Sequence, residues 1–233
     1  MILITRPLAQ SLETGTLLQS RGFNYFCEPM LRIHFQASGE EEKISVAIFT
    51  SAHGVAGIGE DIVSQQPIVI AVGQATAEKA EARGLKNVAY THGNSQEVYE
   101  WICQHIEKTQ TIRHFCGQHH AGEIVSRLQG LGYKADERVV YKAEPVYEIS
   151  DELECKLNQG VIRSALFFSS RTATVFVENI KQKGMVASMA SVKAFCLSQP
   201  IADCLQREMW QKVIVADKPT QACLLEQIES EYR

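Results

Sequence analysis

The fold class of this chain is indicated by the stretch Val46-Ala47-Ile48-Phe49-Thr50-Ser51-Ala52-His53-Gly54. In it, a short apolar run is followed directly by the polar start of a helix. The same change occurs after Ile2–Thr5, where Pro7 follows, and after Ile68–Gly73, where Ala75 follows. Short apolar runs that alternate with longer amphipathic stretches are typical of α/β proteins with mainly parallel strands. We therefore predict an α/β fold.

Local signals set the approximate bounds of the predicted elements. Pro7 favours a helix start, the apolar residues Leu8, Leu12, Leu17 and Leu18 follow, and Gly22 ends the helix. Further helices are predicted over Gly54–Ile62, Ala75–Arg83 and Ala121–Leu128. Further strands are predicted over Pro29–Ile33, Asn87–Tyr90, Arg113–Cys116, Val139–Tyr141 and Val213–Ala216.

The two halves of the chain resemble each other. Ala71–Ala77 is similar to Cys196–Ala202, and Phe49-Thr50-Ser51 is similar to Phe168-Ser169-Ser170. The spacing from Gly73 to Ser95 equals the spacing from Ser198 to Thr220. A repeat of this kind predicts two similar lobes. The chain order is short unit, long unit, short unit, long unit, and this order leaves open which short unit joins which long unit.

Composition excludes several classes of protein. The chain has 233 residues, with 23 Lys and Arg against 27 Asp and Glu, so its net charge of -4 disfavours nucleic acid as a partner. No apolar run approaches the ~20 residues of a membrane span, and a signal peptide is not recognisable. We expect a cytoplasmic protein without a membrane partner, whose seven scattered cysteines are reduced and are buried as small hydrophobic residues.

Small polar residues or glycine follow the predicted strands just before helices begin. In a parallel α/β sheet these positions share the edge where ligands bind, and free N–H groups at helix starts suit carboxylates or phosphates. The alternative is that serine, threonine and glycine are ordinary helix caps, and that the arginines are solvated. The candidate binding residues are Thr5, Arg6, Thr50, Ser51, Gly73, Thr76, Ser169, Ser170 and Ser198.

Candidate metal ligands occur in the segment His114-Phe115-Cys116-Gly117-Gln118-His119-His120. A strand there would put His114 and Cys116 on one face, but no second ligand cluster at a standard spacing accompanies them. We therefore predict no metal. Walker, G-x-S-x-G and G-x-G-x-x-G signatures are also missing, which disfavours a nucleotide-binding enzyme.

Tyr141 is the candidate catalytic residue. It lies in the β-like run Val139-Val140-Tyr141-Lys142, at a predicted crossover between lobes. A phenol can donate a proton to a leaving hydroxyl group without being ionised itself. Packing in the core is the alternative role for a tyrosine on a strand.

Several segments together resemble the uroporphyrinogen-III synthase family. They are Ile4-Thr5-Arg6-Pro7, Phe49–Val55, Val72–Ala77, Leu128–Gly132 followed by Val140-Tyr141, Phe167–Ser170 and Val215–Leu225. The resemblance implies two parallel-sheet α/β lobes joined by a two-stranded β ladder. It assigns residues 1–34 and 149–233 to a discontinuous first lobe, 41–137 to the second lobe, and 35–40 and 138–148 to the linkers.

The resemblance also implies a reaction. A lyase of this family cyclises linear hydroxymethylbilane to uroporphyrinogen III, with loss of water and inversion of ring D through a spiro intermediate, and needs no cofactor or metal. It implies tetrapyrrole and heme biosynthesis, a monomer, and hand-over of substrate from hydroxymethylbilane synthase. A two-lobed protein that binds a small anion or a tetrapyrrole without catalysis is the alternative.

Residue roles transfer from the family position by position. Tyr141 matches the tyrosine proposed to assist hydroxide departure, and the strand-end hydroxyl and glycine positions match the cleft lining. Gly117 joins the substrate-binding set because the family has a glycine- and arginine-containing stretch where this chain has Gly117-Gln118-His119-His120. This departure, and Gln199-Pro200-Ile201 in place of hydroxyl residues, are the two places where the chain differs from the pattern.

Overall fold

The computed structural model describes residues 1–36, 42–91, 95–119 and 123–232. The elements of the first half are β1 (Ile2–Ile4), α1 (Leu8–Ser20), β2 (Tyr25–Cys27), β3 (Leu31–Phe35), β4 (Val46–Phe49), α2 (Ala52–Ala56), α3 (Glu60–Gln65), β5 (Ile68–Val72), α4 (Gln74–Ala82), β6 (Val88–Thr91) and α5 (Ser95–His105). Those of the second half are β7 (Thr111–Gly117), α6 (Ile124–Gly130), β8 (Lys134–Pro145), α7 (Asp151–Asn158), β9 (Ser164–Phe167), α8 (Ser170–Gln182), β10 (Lys193–Cys196), α9 (Gln199–Asp203), β11 (Lys212–Val215) and α10 (Gln221–Tyr232).

The chain forms two compact units, one of residues Met1–Arg32 and Glu144–Arg233, the other of Ile33–Ala143. The first boundary falls within β3 and the second within β8. Residues 37–40 of the expected linker 35–40 lie outside the described residues. The expected linker 138–148 coincides largely with the end of β8, which is a regular strand from Lys134.

The first unit contains a sheet of five parallel strands in the order β11-β10-β9-β1-β2. Counted along this unit alone, the order is 2-1-3-4-5, which is a doubly wound arrangement. The strand order reverses between β1 and β9. The carboxyl ends of these two strands therefore flank the point where such sheets bind ligands.

The second unit contains a six-stranded sheet in the order β3-β8-β7-β4-β5-β6, in which the strands from β8 to β6 are parallel. Starting the count at β7 reproduces the order 2-1-3-4-5, so this unit is a circular permutation of the first. Its strand order reverses between β7 and β4. The two units share one strand order, which explains why the sequence shows a β/α repeat.

β3 and β8 form a two-stranded ladder in which the strands are antiparallel. Gln36 N–H donates to the carbonyl of Val140, and Val146 N–H donates to the carbonyl of Met30. As the residue number rises from Met30 to Gln36 along one strand, the number of the bonded residue falls from Val146 to Val140 along the other. This is the pattern of antiparallel strands. The prediction of two parallel α/β sheets with a β ladder is confirmed.

Each unit has its own apolar core on the two faces of its sheet. In the first unit, one cluster is centred on Phe167 and Phe176, and a second one contains Leu225. In the second unit, Phe49 and Phe115 stack in one cluster, with ring centroids 5.4 Å apart. A further cluster covers the opposite face of that sheet. Continuous apolar runs become strands because both of their faces are buried.

The buried face of helix α1 is not the face that carries most of its leucines. Leu8, Leu12 and Leu17 are exposed, whereas Ser11, Thr14, Gly15 and Leu18 are buried. A Cβ atom on Gly15 would lie 2.4 Å from a ring carbon of Tyr25. The helix approaches β2 so closely that small side chains fill the contact.

Two predicted helices differ in extent from the observed ones. The helix expected over Gly54–Ile62 is divided into α2 and α3, because the backbone of Gly59 is extended (φ -80°, ψ 169°) and starts a new helix. The helix expected from Ala121 begins at Ile124, and residues 121 and 122 lie outside the described residues. Strand β2 was not predicted.

All seven cysteines are free thiols. Cys116 and Cys196 are buried, and burial raises the pKa of Cys116 to about 11 and that of Cys196 to about 12. Cys103 and Cys155 are exposed, so the expected burial is wrong for these two. In the part of the chain that the structure describes, a helix with the length and apolar character of a membrane span does not occur.

Candidate functional site

Tyr141 and Ser51 meet where the strand order of the second unit reverses. Their hydroxyl oxygens are 3.0 Å apart and share a hydrogen bond. Ser51 caps the start of α2, and its Oγ accepts a hydrogen bond of 3.2 Å from Gly54 N–H. Tyr141 is half-buried against the core cluster that contains Phe49 and Phe115. The structure thus brings two of the predicted site residues, 90 positions apart in sequence, into direct contact.

A bulge in β8 sets the position of Tyr141. Cys116 pairs with Val139, whereas the next residue of β7, Gly117, pairs with Tyr141. Successive side chains of a regular strand point to opposite faces, but Val140 and Tyr141 both pack against the same core cluster. The additional residue in β8 turns the tyrosine, which is a recognised effect of bulges near functional sites.

Gly117 leaves room for the Tyr141 ring. A Cβ atom at Gly117 would lie 2.6 Å from the ring carbon Cζ and 2.9 Å from the hydroxyl oxygen. The N–H of the next residue, Gln118, donates to the Tyr141 carbonyl over 2.9 Å. The predicted binding residue Gly117 therefore contacts the predicted catalytic residue. His120, which belongs to the same predicted stretch, lies outside the described residues.

Two histidines, His114 and His53, also lie at this edge, and neither was among the predicted catalytic or binding residues. The Thr50 hydroxyl is 3.1 Å from Nε2 of His114, which is buried on β7. His53 is in the first turn of α2, and its ring centroid lies 5.4 Å from that of Tyr141. His53 follows Ser51 by two residues, so its closeness in sequence to the strand end could have identified it as a site residue. The contact of His114 with Thr50 depends on the pairing of β4 with β7.

Gly73 and Thr76 belong to the neighbouring strand end of the same unit. Gly73 begins α4 with a φ of 80°, a left-handed conformation that glycine adopts without strain. Thr76 is buried in the first turn of α4, and its N–H donates to the Gly73 carbonyl over 3.1 Å. Gly73 thus shapes the strand-to-helix turn, and Thr76 supports it from inside.

The first unit has a corresponding set of helix starts at its strand ends. Ser169 caps α8, accepting a hydrogen bond of 3.2 Å from Thr172 N–H, as Ser51 does on α2. Ser198 begins α9 in an extended conformation, and the Ser170 hydroxyl donates to the Pro200 carbonyl over 3.4 Å. The structural equivalent of Ser51 is Ser169. The predicted match of Phe49-Thr50-Ser51 with Phe168-Ser169-Ser170 is therefore displaced by one residue.

Thr5 and Arg6 hold the end of β1 in place. Thr5 is buried and its hydroxyl donates to the Leu166 carbonyl over 2.8 Å. Arg6 donates to Thr14 Oγ1 and to Gln221 Oε1, and its guanidinium lies 4.2 Å from the centre of the Phe168 ring. Burial lowers the pKa of Arg6 from its ordinary high value. Arg6 remains a half-buried cation beside the start of α8.

The arrangement offers hydrogen-bond donors at both sheet edges. Helix starts present N–H groups and partial positive charge, which attract carboxylates. The edge of the second unit also carries the phenol of Tyr141, which is hydrogen-bonded to the Ser51 hydroxyl. Each edge by itself can bind carboxylates, and the edge of the second unit can also donate a proton from Tyr141.

Comparison with known families agrees with this arrangement. A family model described as uroporphyrinogen-III synthase HemD matches residues 13–226. The chain belongs to the uroporphyrinogen-III synthase family. The family resemblance predicted from the sequence is confirmed, and it assigns the chain to porphyrin and heme biosynthesis.

Solved structures of the uroporphyrinogen-III synthase family share the fold. A mutant uroporphyrinogen III synthase from the extremely thermophilic bacterium Thermus thermophilus matches with a TM-score of 0.57 and 15% identity, over 100% of this chain and 99% of that one. The uroporphyrinogen-III synthetase of Helicobacter pylori matches with a TM-score of 0.60 and 17% identity, over 89% of this chain and 93% of that one. A search of curated proteins finds no significant match. At these identities the structures support the fold and leave the individual site residues as predictions.

Proposed function

We propose that this chain cyclises linear hydroxymethylbilane to uroporphyrinogen III, with loss of water and inversion of ring D through a spiro intermediate. The family match across residues 13–226 carries this proposal. The contact of Tyr141 with Ser51 supports it, because the reaction needs a proton donor at the departing hydroxyl group.

The proposed first step is loss of water from the hydroxymethyl group. The pyrrole nitrogen lone pair expels the hydroxyl group, and the Tyr141 phenol donates the proton that makes it water. Ser51 accepts from Gly54 N–H and is then able to donate its own hydrogen to Tyr141 Oη. That hydrogen bond stabilises the phenolate as it forms, so the two hydroxyl groups act as one unit.

Ring closure follows the loss of water. The substituted α-carbon of ring D attacks the exocyclic methylene carbon of the resulting azafulvene, which forms a spiro carbon–carbon bond. That intermediate fragments and recloses with ring D inverted, and loss of a proton restores the pyrrole. Uncatalysed closure gives the isomer without inversion, so the protein acts mainly by holding the substrate.

Substrate carboxylates are the groups that the helix starts would bind. The N-terminal turns of α4 and α8, with Gly73, Ser169 and Ser170, present N–H and hydroxyl donors at their strand ends. Backbone donors allow an acidic protein to bind an acidic substrate. We further propose that the enzyme is a cyclising lyase that acts as a cytoplasmic monomer and receives its substrate from hydroxymethylbilane synthase.

An isomer assay tests the function. Hydroxymethylbilane is generated in situ, the purified protein is added, and the oxidised products are separated by chromatography into uroporphyrins I and III. We expect the III isomer to dominate. Formation of only the I isomer by folded protein would exclude the synthase reaction and favour an anion- or tetrapyrrole-binding protein.

Tyr141→Phe tests the proton donor. Removal of the phenol oxygen should lower turnover by roughly 10²-fold, the usual contribution of a positioned general acid, with a small change in melting temperature. Tyr147→Phe is the matched control, because Tyr147 is exposed to 56% and lies on the chain just after β8. Equal turnover in the two folded variants would remove Tyr141 from the mechanism.

A further inference from the structure

We propose that His114, Cys116 and Glu137 form a binding site for Zn²⁺ in the second unit. One ligand atom from each residue lies within 4.8 Å of the other two. The ion would supply none of the steps of the reaction proposed above, although His114 contacts the predicted binding residue Thr50. Its occupation would join β7 to β8, the strand that carries Tyr141.

The pairing of β7 with β8 creates this cluster. The strands are parallel, and His114 is directly opposite Glu137. Cys116 is two residues beyond His114 and therefore points to the same face of the sheet. The shared face of His114 and Cys116 was predicted from their spacing, whereas Glu137 comes close to them through the register of the two strands.

The ligand types favour zinc among the common divalent ions. Imidazole, thiolate and carboxylate are the three kinds of side chain that bind Zn²⁺, whereas Mg²⁺ and Ca²⁺ prefer oxygen alone. Zn–S bonds of about 2.3 Å and Zn–N bonds of about 2.0 Å bring tetrahedral ligand atoms to about 3.5 Å from each other. The ligand atoms lie within 4.8 Å of one another, so a side-chain movement of about 1 Å would bring them to the separation of a zinc site. The exposed Glu137 side chain can make this movement by rotation about its bonds.

The surroundings of His114 also suit a metal ligand. His114 Nε2 is 3.1 Å from Thr50 Oγ1. A zinc-bound histidine ordinarily donates its second ring N–H to an oxygen, which orients the ring. Thr50 would take this role while the other ring nitrogen binds the ion. Cys116 would bind as the thiolate, releasing its proton to solvent, and water would complete the four ligands.

Cobalt provides a test that is independent of enzyme activity. Reduced full-length protein, freed of metal with a chelator, is titrated with Co²⁺ and scanned for the near-ultraviolet charge-transfer band of a cobalt thiolate. We expect one equivalent of Co²⁺ to produce the band and one equivalent of Zn²⁺ to abolish it. Co²⁺ uptake without that band would overturn the proposal, because Cys116 would then not be a ligand.

Two variants and a control assign the ligands. Cys116→Ser should lose the band, and Glu137→Gln should bind Zn²⁺ at least tenfold more weakly while keeping a thiolate band at high Co²⁺. Cys103→Ser, which alters an exposed cysteine of the same unit, should behave like the unaltered protein. If Cys116→Ser does not fold, the Zn²⁺ affinity of Glu137→Gln still tests the proposal, because Glu137 is exposed. Unchanged Zn²⁺ affinity in Glu137→Gln, or loss of the band in Cys103→Ser, would contradict the assignment.

Discussion

At the scale of single residues, Tyr141 depends on Gly117 for its place. A side chain at Gly117 would overlap the tyrosine ring, with Cβ 2.6 Å from Cζ. Gly117→Ala should therefore displace the phenol from Ser51, lower synthase turnover by roughly 10²-fold and reduce stability by about 1–3 kcal/mol, the usual cost of overpacking. Turnover in the isomer assay and the free energy of unfolding are the measurements.

Gly130→Ala is the matched control for this prediction. Gly130 is the last residue of α6, and a Cβ atom there would have no neighbour within 4 Å among the described residues. Alanine favours helix over glycine, so stability should stay the same or rise by up to about 1 kcal/mol. If both variants kept full turnover, a close fit of Gly117 to the tyrosine would not matter for the reaction.

At the scale of elements, Glu231 joins α10 to the neighbouring strands β10 and β11 of the first unit. Its carboxylate lies 3.0 Å from the ammonium of Lys193 on β10 and 3.0 Å from that of Lys212 on β11. Hydrogen bonds from these two lysines lower the pKa of Glu231. Because the pKa is lowered in the folded state, the stabilisation is complete above the unfolded value of about 4.3 and is lost as the pH falls through the folded value.

Glu231→Gln should accordingly lower the melting temperature at pH 7 and have a smaller effect at pH 3, because the stabilisation decreases as the pH falls below the unfolded value. Thermal unfolding at a series of pH values measures the difference. Glu226→Gln, an exposed position on the same helix, should change the melting temperature little at either pH. An effect of Glu231→Gln that is the same at pH 3 and pH 7 would show that the ion pairs do not stabilise α10.

At the scale of the whole molecule, the core is divided between two units. Each of the four apolar clusters draws its residues from one unit alone. Trp210 is in the first unit and Trp101 in the second, so fluorescence can follow each separately. Replacing one tryptophan by phenylalanine leaves a reporter for the other unit.

Core substitutions should act on one reporter each. Leu153→Ala removes a buried side chain of the first unit and should lower the denaturant midpoint seen by Trp210, at a cost of about 2–5 kcal/mol. Ile70→Ala should do the same for the midpoint seen by Trp101. Each variant is compared with its own single-tryptophan parent. Equal shifts of both midpoints would mean that the units unfold in one cooperative step.

Much of the fold could be predicted from local sequence. Continuous apolar runs such as Val46–Phe49 identify strands that are buried on both faces, and serine after a strand identifies helix caps at Ser51 and Ser169. The repeat predicted two similar units. These features are local because hydrophobic burial and capping depend on residues a few positions apart.

Residue types and short spacings were sufficient to predict the α/β class, the duplication and the family, and they made Tyr141 the candidate catalytic residue. Which residues come into contact became clear from the three-dimensional structure. The bulge that sets Tyr141 opposite Gly117, the approach of Glu137 to His114 and Cys116, and the small-residue face of α1 depend on strand register and close packing. Register and packing join segments far apart in the chain, so no local pattern specifies them.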